Sequence, residues 1–331
     1  MFTSGIMLVP KGPLSDVIGA AQAAEAGGFD FCLIADEGFL YDVYAVMALV
    51  LANTQRLRVA PITNPFTRHP AVTAVGLATL NTLAPGRAFL TVVPGGSLVL
   101  KPMRLPGAKP LTACRDLITI VRALSTGEKQ SHTGAQFGLD DAQIHVHAEP
   151  VSIWGMGRGP KMIRLSGECA DVTVITGKLG GPTALTEAQA GAALSARPLA
   201  LAYLGSLAFD PQMIDQMRPH YAYVLPDTPT PVLHRLGLSA EWVAALKRTR
   251  ETQGTDAAAR LIGDDLLRRL TVAGTPDECV ADLVRLAQLE HYRHFIFPVM
   301  SLEPEYALPL IRRAGEIYGR ARRLAQEEPN A

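Results

Sequence analysis

The most informative shortage in these 331 residues is charge. Only 19% of them are Asp, Glu, Lys or Arg, and the 31 basic residues are offset by 31 acidic ones. With no long basic run and no basic patch interleaved with aromatics, the chain lacks the electrostatic footprint of a nucleic-acid binder. Cysteine is also scarce. Cys32, Cys114, Cys169 and Cys279 are scattered without metal-ligand spacing, which argues against a zinc site and against a disulfide framework. No window approaches the ~20 uninterrupted apolar residues of a membrane span. The N-terminus has no basic stretch followed by an apolar stretch and a cleavage site. These absences point to a soluble cytoplasmic protein with reduced thiols and no membrane or nucleic-acid partner. With 48% hydrophobic residues, the chain can build a sizeable core.

What is present is a rhythm. Short apolar runs at 4–9, 30–35, 57–62, 87–93, 151–155, 172–176, 198–205 and 294–299 alternate with helical patterns. Eight strands separated by helices predict an α/β fold, a (β/α)8 TIM barrel with a parallel sheet. A doubly wound open sheet is the runner-up, but no glycine-rich dinucleotide fingerprint follows the first strand. We expect one domain over residues 1–331, with insertions near 97–110, 128–150 and 205–270. The second reads as a hairpin and the third as a helical segment or subunit surface, with the Pro-rich joint 227–232 inside it. Thr275 and Glu278 form a capping box at the start of a late helix.

Residues 57–96 form the central stretch: strand, loop, helix, strand, loop. The loop TNPFTRHP cannot be regular structure, because each residue before a proline is pushed out of helix, and Pro70 suits a first helical position. Loops after strands are where binding groups collect in a barrel, so Asn64, Arg68 and His69 are candidates. Asn64 would otherwise make an Asx turn, and His69 would cap the helix. Gly95 and Gly96 permit close backbone approach to a ligand. The turn Arg158-Gly159-Pro160-Lys161 precedes a helix, whose free N–H groups and two flanking cations suit a phosphate. Thr176, Gly177 and Lys178 after the sixth strand are a second phosphate-side candidate. His132, His145 and His147 lie near one another in sequence, but no carboxylate or cysteine completes a metal site.

Four segments together resemble the bacterial-luciferase-like family, specifically its coenzyme F420 branch. They are GFDFCLIADE (28–37), TNPFTRHP with ATLNTLAPGRAFL, IWGMGRGPKMIRLSGECADV (153–172), and AGTPDECVADL (273–283) followed by HFIFP. The methylenetetrahydromethanopterin reductases are similar at TNPFTRHP, at Asp42-Val43-Tyr44 and at Pro94-Gly95. The resemblance implies a barrel that binds coenzyme F420, or alternatively FMN, and transfers a hydride to or from a small organic substrate, with dimers or larger oligomers usual. It assigns the phosphate to Arg158, Gly159, Pro160 and Lys161, with Thr176 and Gly177 nearby. The ring would lie near Pro61, Ile62 and Asn64, with Gly95 and Gly96 beside it. It also implies a cis peptide between Pro61 and Ile62, and it makes Arg68 and His69 structural. Luciferase-type flavin enzymes often carry an arginine where Pro94 stands, so Pro94 favours the deazaflavin.

Two departures bear on the reaction. Those reductases usually place a glutamate where Met7 stands, and a histidine where Glu37 follows Asp36. A carboxylate could protonate a reacting nitrogen and methionine cannot, which leaves Asp36 and Glu37 as the catalytic candidates. An F420-dependent oxidoreductase is therefore the first expectation, a reduced-FMN monooxygenase the second, and a non-catalytic homologue the third.

Overall fold

The computed structural model describes residues 2–327 apart from 179, 180, 196, 229 and 290. Pro229, in the Pro-rich joint, is therefore outside the described residues. In chain order the strands are β1 (Thr3–Leu8), β2 (Phe31–Ala35), β3 (Arg58–Thr63), β4 (Leu90–Val92), β5 (Gln130–Thr133), β6 (Gly138–Ala142), β7 (Ile153–Met156), β8 (Val172–Thr176), β9 (Leu201–Leu204), β10 (Leu207–Ala208), β11 (Val272–Ala273) and β12 (Tyr292–Val299). Eight of them close into a barrel in the order β1-β12-β9-β8-β7-β4-β3-β2, and every pair around the ring is parallel. The predicted hairpin is the antiparallel pair β5–β6.

Alternation along each strand builds two cores. Phe31, Leu33, Ala60, Phe89, Trp154, Val174, Ala202 and Ile296 pack together inside the barrel. Their neighbours Cys32, Ile34, Val59, Leu90, Ile153 and Ile175 pack outward with the helices. Strands buried on both faces read as continuous apolar runs, which is why FCLIA in β2 is buried at every position. The lower barrel is plugged by aromatics: Trp154 sits 5.1 Å from Phe31, 5.0 Å from Phe89 and 4.8 Å from His294, measured between ring centroids. Burial, aided by the Arg58 guanidinium, pushes His294 down to about 4, so the ring stays neutral there.

The helical stretch 211–270 has a core of its own, including Leu225, Leu246, Ala258, Leu267 and Leu270. The short parallel pair β10–β11 and a bond from Thr271 Oγ1 to the Ser206 carbonyl (2.7 Å) tie it to the barrel. Among the described residues no helix is long and apolar enough to cross a membrane.

One expectation fails. The described residues contain no cis peptide bond, so Pro61–Ile62 is trans. β3 pairs with β2 without interruption from Arg58 to Ile62, which leaves no bulge for such a bond to serve.

Candidate active site

The C-terminal ends of the eight strands form the open end of the barrel. Met7, Ile62 and Val93 belong to the inner cluster yet are only partly buried, unlike Phe31, Phe89 and Trp154 below them. Side chains that face inward but stay accessible mark an apolar recess. Leu204 and Met156, each 8% exposed, lie in the same inner cluster.

The β3 loop is held by its own polar groups. Asn64, 3% exposed, accepts from Phe66 N (2.9 Å) and Thr67 N (3.2 Å) through Oδ1, an Asx turn. No bond of its Nδ2 to a described residue occurs, so the amide keeps donors to spare. Arg68 pairs with Asp42 at 2.6 Å and lies 4.4 Å over the Tyr44 ring. Asp42 in turn caps the helix Val43–Ala52 by accepting from Tyr44 N and Ala45 N. His69 caps the helix Pro70–Leu83 through Nδ1. Arg68 and His69 thus fasten the loop between two helices. Gly95, at φ +90°, brings its backbone against this loop: a Cβ there would lie 3.4 Å from Asn64 Cβ and 3.0 Å from Leu100 Cδ1. Gly96 beside it is exposed.

The two carboxylates after β2 differ. Asp36 accepts from Thr63 Oγ1 at 2.6 Å, and its N–H donates to the Ile62 carbonyl. Thr63 follows the inward Ile62 and therefore points away from the barrel interior, so Asp36 is drawn outward with it. Glu37 is exposed, and none of the described residues bonds its carboxylate.

On the opposite side, Gly159 precedes the helix Pro160–Cys169 with no side-chain cap. The Lys161 amide has no intrahelical partner and Pro160 needs none, which leaves an uncapped positive helix end. Arg158 and Lys161 are exposed beside it. Burial lowers the pKa of His220 and the Arg158 charge lowers it further. Gly155 allows the helix to sit tightly on β7, because a Cβ there would fall 2.2 Å from Ser166 Oγ. Thr176 is exposed at the end of β8, and the Gly177 N–H donates to the Leu204 carbonyl. Among the described residues no cluster of His, Cys, Asp and Glu could hold a metal ion.

Lys178, Arg235, Arg268, Arg269 and Arg285 line a cavity of about 900 Å³ beyond Gly177. Apart from Lys178, nothing in the sequence singles these residues out, because they come from four separate segments.

Residues 1–291 match the family described as luciferase-like monooxygenase. A 5,10-methylenetetrahydromethanopterin reductase of Methanolobus tindarius is 27% identical over 297 residues, covering 87% of this chain and 91% of that protein. An F420-dependent glucose-6-phosphate dehydrogenase of Beutenbergia cavernae is 30% identical over 203 residues, covering 56% and 60%. Among solved structures, the coenzyme F420-dependent tetrahydromethanopterin reductase of Methanopyrus kandleri superposes with a TM-score of 0.84 at 22% identity, over 95% of this chain and 97% of that one.

Proposed function

Because this chain belongs to the luciferase-like monooxygenase family, we propose that it is a coenzyme F420-dependent oxidoreductase acting on a small organic substrate at the barrel mouth. The observation that carries this reading is the pairing, at that mouth, of an uncapped helix end flanked by Arg158 and Lys161 with an apolar recess of Met7, Ile62 and Val93. The first fits a phosphate and the second a flat ring. The bound deazaflavin supplies hydride chemistry; binding, orientation and proton handling fall to this chain.

Gly159, Pro160 and Lys161 would hold the phosphate, with Thr176 and Gly177 on its far side. The inward side chain of Ile62 would meet the ring, with the Pro61 backbone beside it and without the cis bond that the resemblance implied, and Asn64 would supply a donor close to Gly95 and Gly96. Hydride addition to a substrate carbon leaves a basic heteroatom that needs a proton. Glu37 is the carboxylate free to give it, while Asp36, held by Thr63, is a positioning residue. The relatives named for F420, together with Pro94, favour the deazaflavin over FMN. Titration of the pure protein with each cofactor tests the assignment: F420 should bind more tightly, and tighter FMN binding would make the chain a flavin monooxygenase.

A homodimer also belongs to this reading. Val72, Val75 and Leu83 lie on one face of the helix Pro70–Leu83 and are 45–54% exposed, with Leu49 (37%) on the packed neighbouring helix. Such an apolar stripe on a surface helix suits a second copy of the chain. Val75→Glu should shift the species seen by light scattering from dimer to monomer. The four free cysteines suit a reducing, cytoplasmic setting, and the even charge balance suits a small-molecule enzyme with no nucleic-acid or membrane partner.

A further inference from the structure

The apolar recess of the barrel continues into the loops around it. The last inward side chains of the eight strands include one hydroxyl, on Thr176, and no charge. The segment after β4 begins with the short helix Ser97–Leu100 and is closed by a bond from Leu105 N to the Leu100 carbonyl (3.0 Å). This strap reaches the loop after β2: a Cβ at Gly38, where φ is +72°, would fall 2.7 Å from Val99 Cγ1 and 2.8 Å from Met103 Cε. β2 and β4 are the two neighbours of β3 in the barrel, so the contact bridges the end of β3, where Ile62 is the last inward side chain. The strap sorts its residues by polarity. Val99 and Leu100 are buried, Met103 and Leu105 are half-buried, and Lys101 and Arg104 are exposed. On the other side of β2 the ring continues to β1 and β12. Phe39, in the loop after β2, is 62% exposed, and Met300, directly after β12, is 70% exposed. The Tyr41 hydroxyl ties the loop of Phe39 to the Gly12 carbonyl (3.0 Å). Scattered exposed apolar side chains are ordinary, but these two follow the strands on either side of Met7 and carry the recess to its rim.

A charged ligand group entering such a lining loses its hydration and finds no partner, and the exposed Glu37 carboxylate repels an anion further. Methionine and aromatic side chains adapt to irregular apolar shapes. We propose that the substrate is an uncharged, predominantly apolar compound whose hydride-accepting group is its main polar feature, and that Met7, Phe39 and Met103 set this preference. The inference rests on the reading of this mouth as the reaction site and leaves the proton to Glu37.

The probes are 2-octanone and 7-oxooctanoate, matched in chain length and carbonyl position and differing by one carboxylate. Each is titrated by calorimetry into the full-length protein, alone and with F420, in phosphate buffer so that the turn at Gly159 does not capture the carboxylate. The ketone should bind at least tenfold more tightly than the keto acid. Met103→Glu and Phe39→Glu should each weaken ketone binding roughly tenfold, while Lys101→Glu, an exposed position on the same strap, should leave it unchanged. Absence of ketone binding in both forms of the protein, or equal or tighter binding of the keto acid, overturns the substrate class. Unchanged ketone affinity in the Glu variants, or an equal loss in Lys101→Glu, overturns the assignment of these residues. A Met103→Glu protein with altered circular dichroism is set aside for Phe39→Glu, whose exposed side chain leaves the fold intact. F420 affinity is measured separately on the same samples. Ketone binding without F420 binding sinks the cofactor reading and keeps the apolar site, and F420 binding without ketone binding does the reverse.

Discussion

Gly155→Ala is the most direct test of how the fold delivers the proposed phosphate site. A Cβ at Gly155 would lie 2.2 Å from Ser166 Oγ, 2.6 Å from Ser166 Cβ and 3.1 Å from Ser166 Cα. Rotating Ser166 relieves only the first contact, and Ser166 Oγ is already bonded to the Met162 carbonyl at 2.8 Å. The helix Pro160–Cys169 must therefore move off β7. Overpacking of this kind costs about 1–3 kcal/mol. Unfolding entropy of about 2.1 cal/mol/K per residue over 331 residues is about 0.7 kcal/mol/K, so a loss near 2 kcal/mol lowers Tm by about 3 °C. The helix carries Lys161 with it, and a displaced N-terminus should weaken F420 binding roughly tenfold, about 1.4 kcal/mol. Thermal unfolding and fluorescence titration read the two effects separately. Adding Ser166→Gly removes the two closest contacts and should restore part of both losses, although Gly in a helix costs about 1 kcal/mol by itself. Unchanged Tm would refute the packing argument. Lowered Tm with unchanged F420 affinity would refute the placement of the phosphate.

Glu37→Gln should lower kcat by roughly 10²–10⁴ while cofactor affinity, measured by titration, stays unchanged; a variant of full activity removes Glu37 from the reaction. Arg158→Gln with Lys161→Gln should weaken F420 binding and flatten its salt dependence, with no change in Tm because both side chains are exposed. Asp42→Ala removes two cap bonds and the Arg68 pair, and urea denaturation should show a loss of about 1–2 kcal/mol. His294 titrates near 4 when folded against 6.5 ordinarily, chiefly through burial. Between those values the unfolded chain holds the extra proton, so stability declines as pH falls through that window, by up to about 3 kcal/mol. His294→Gln should flatten that slope in unfolding curves measured from pH 7 to 4.

The barrel was legible in the sequence because its causes are local. Strands buried on both faces must be apolar throughout, and prolines and glycines punctuate the units between them, so eight runs in the right rhythm suffice. The capping box at Thr275–Glu278 and the hairpin at 130–142 were readable for the same reason, being set by residues within a few positions of one another. The turn at Gly159–Pro160 announced itself as an uncapped helix start. Tertiary structure decided what depends on partners far along the chain. A residue 27 positions away separates the two neighbouring carboxylates: Thr63 draws Asp36 outward and leaves Glu37 free. Asp42 claims Arg68, which chemistry alone would have placed in the reaction. The unbroken β2–β3 pairing excludes the bulge expected at Pro61–Ile62. The cationic cavity is the extreme case, since its residues span positions 178 to 285 and no spacing in one dimension encodes a charge excess that exists only once four separate segments are folded together.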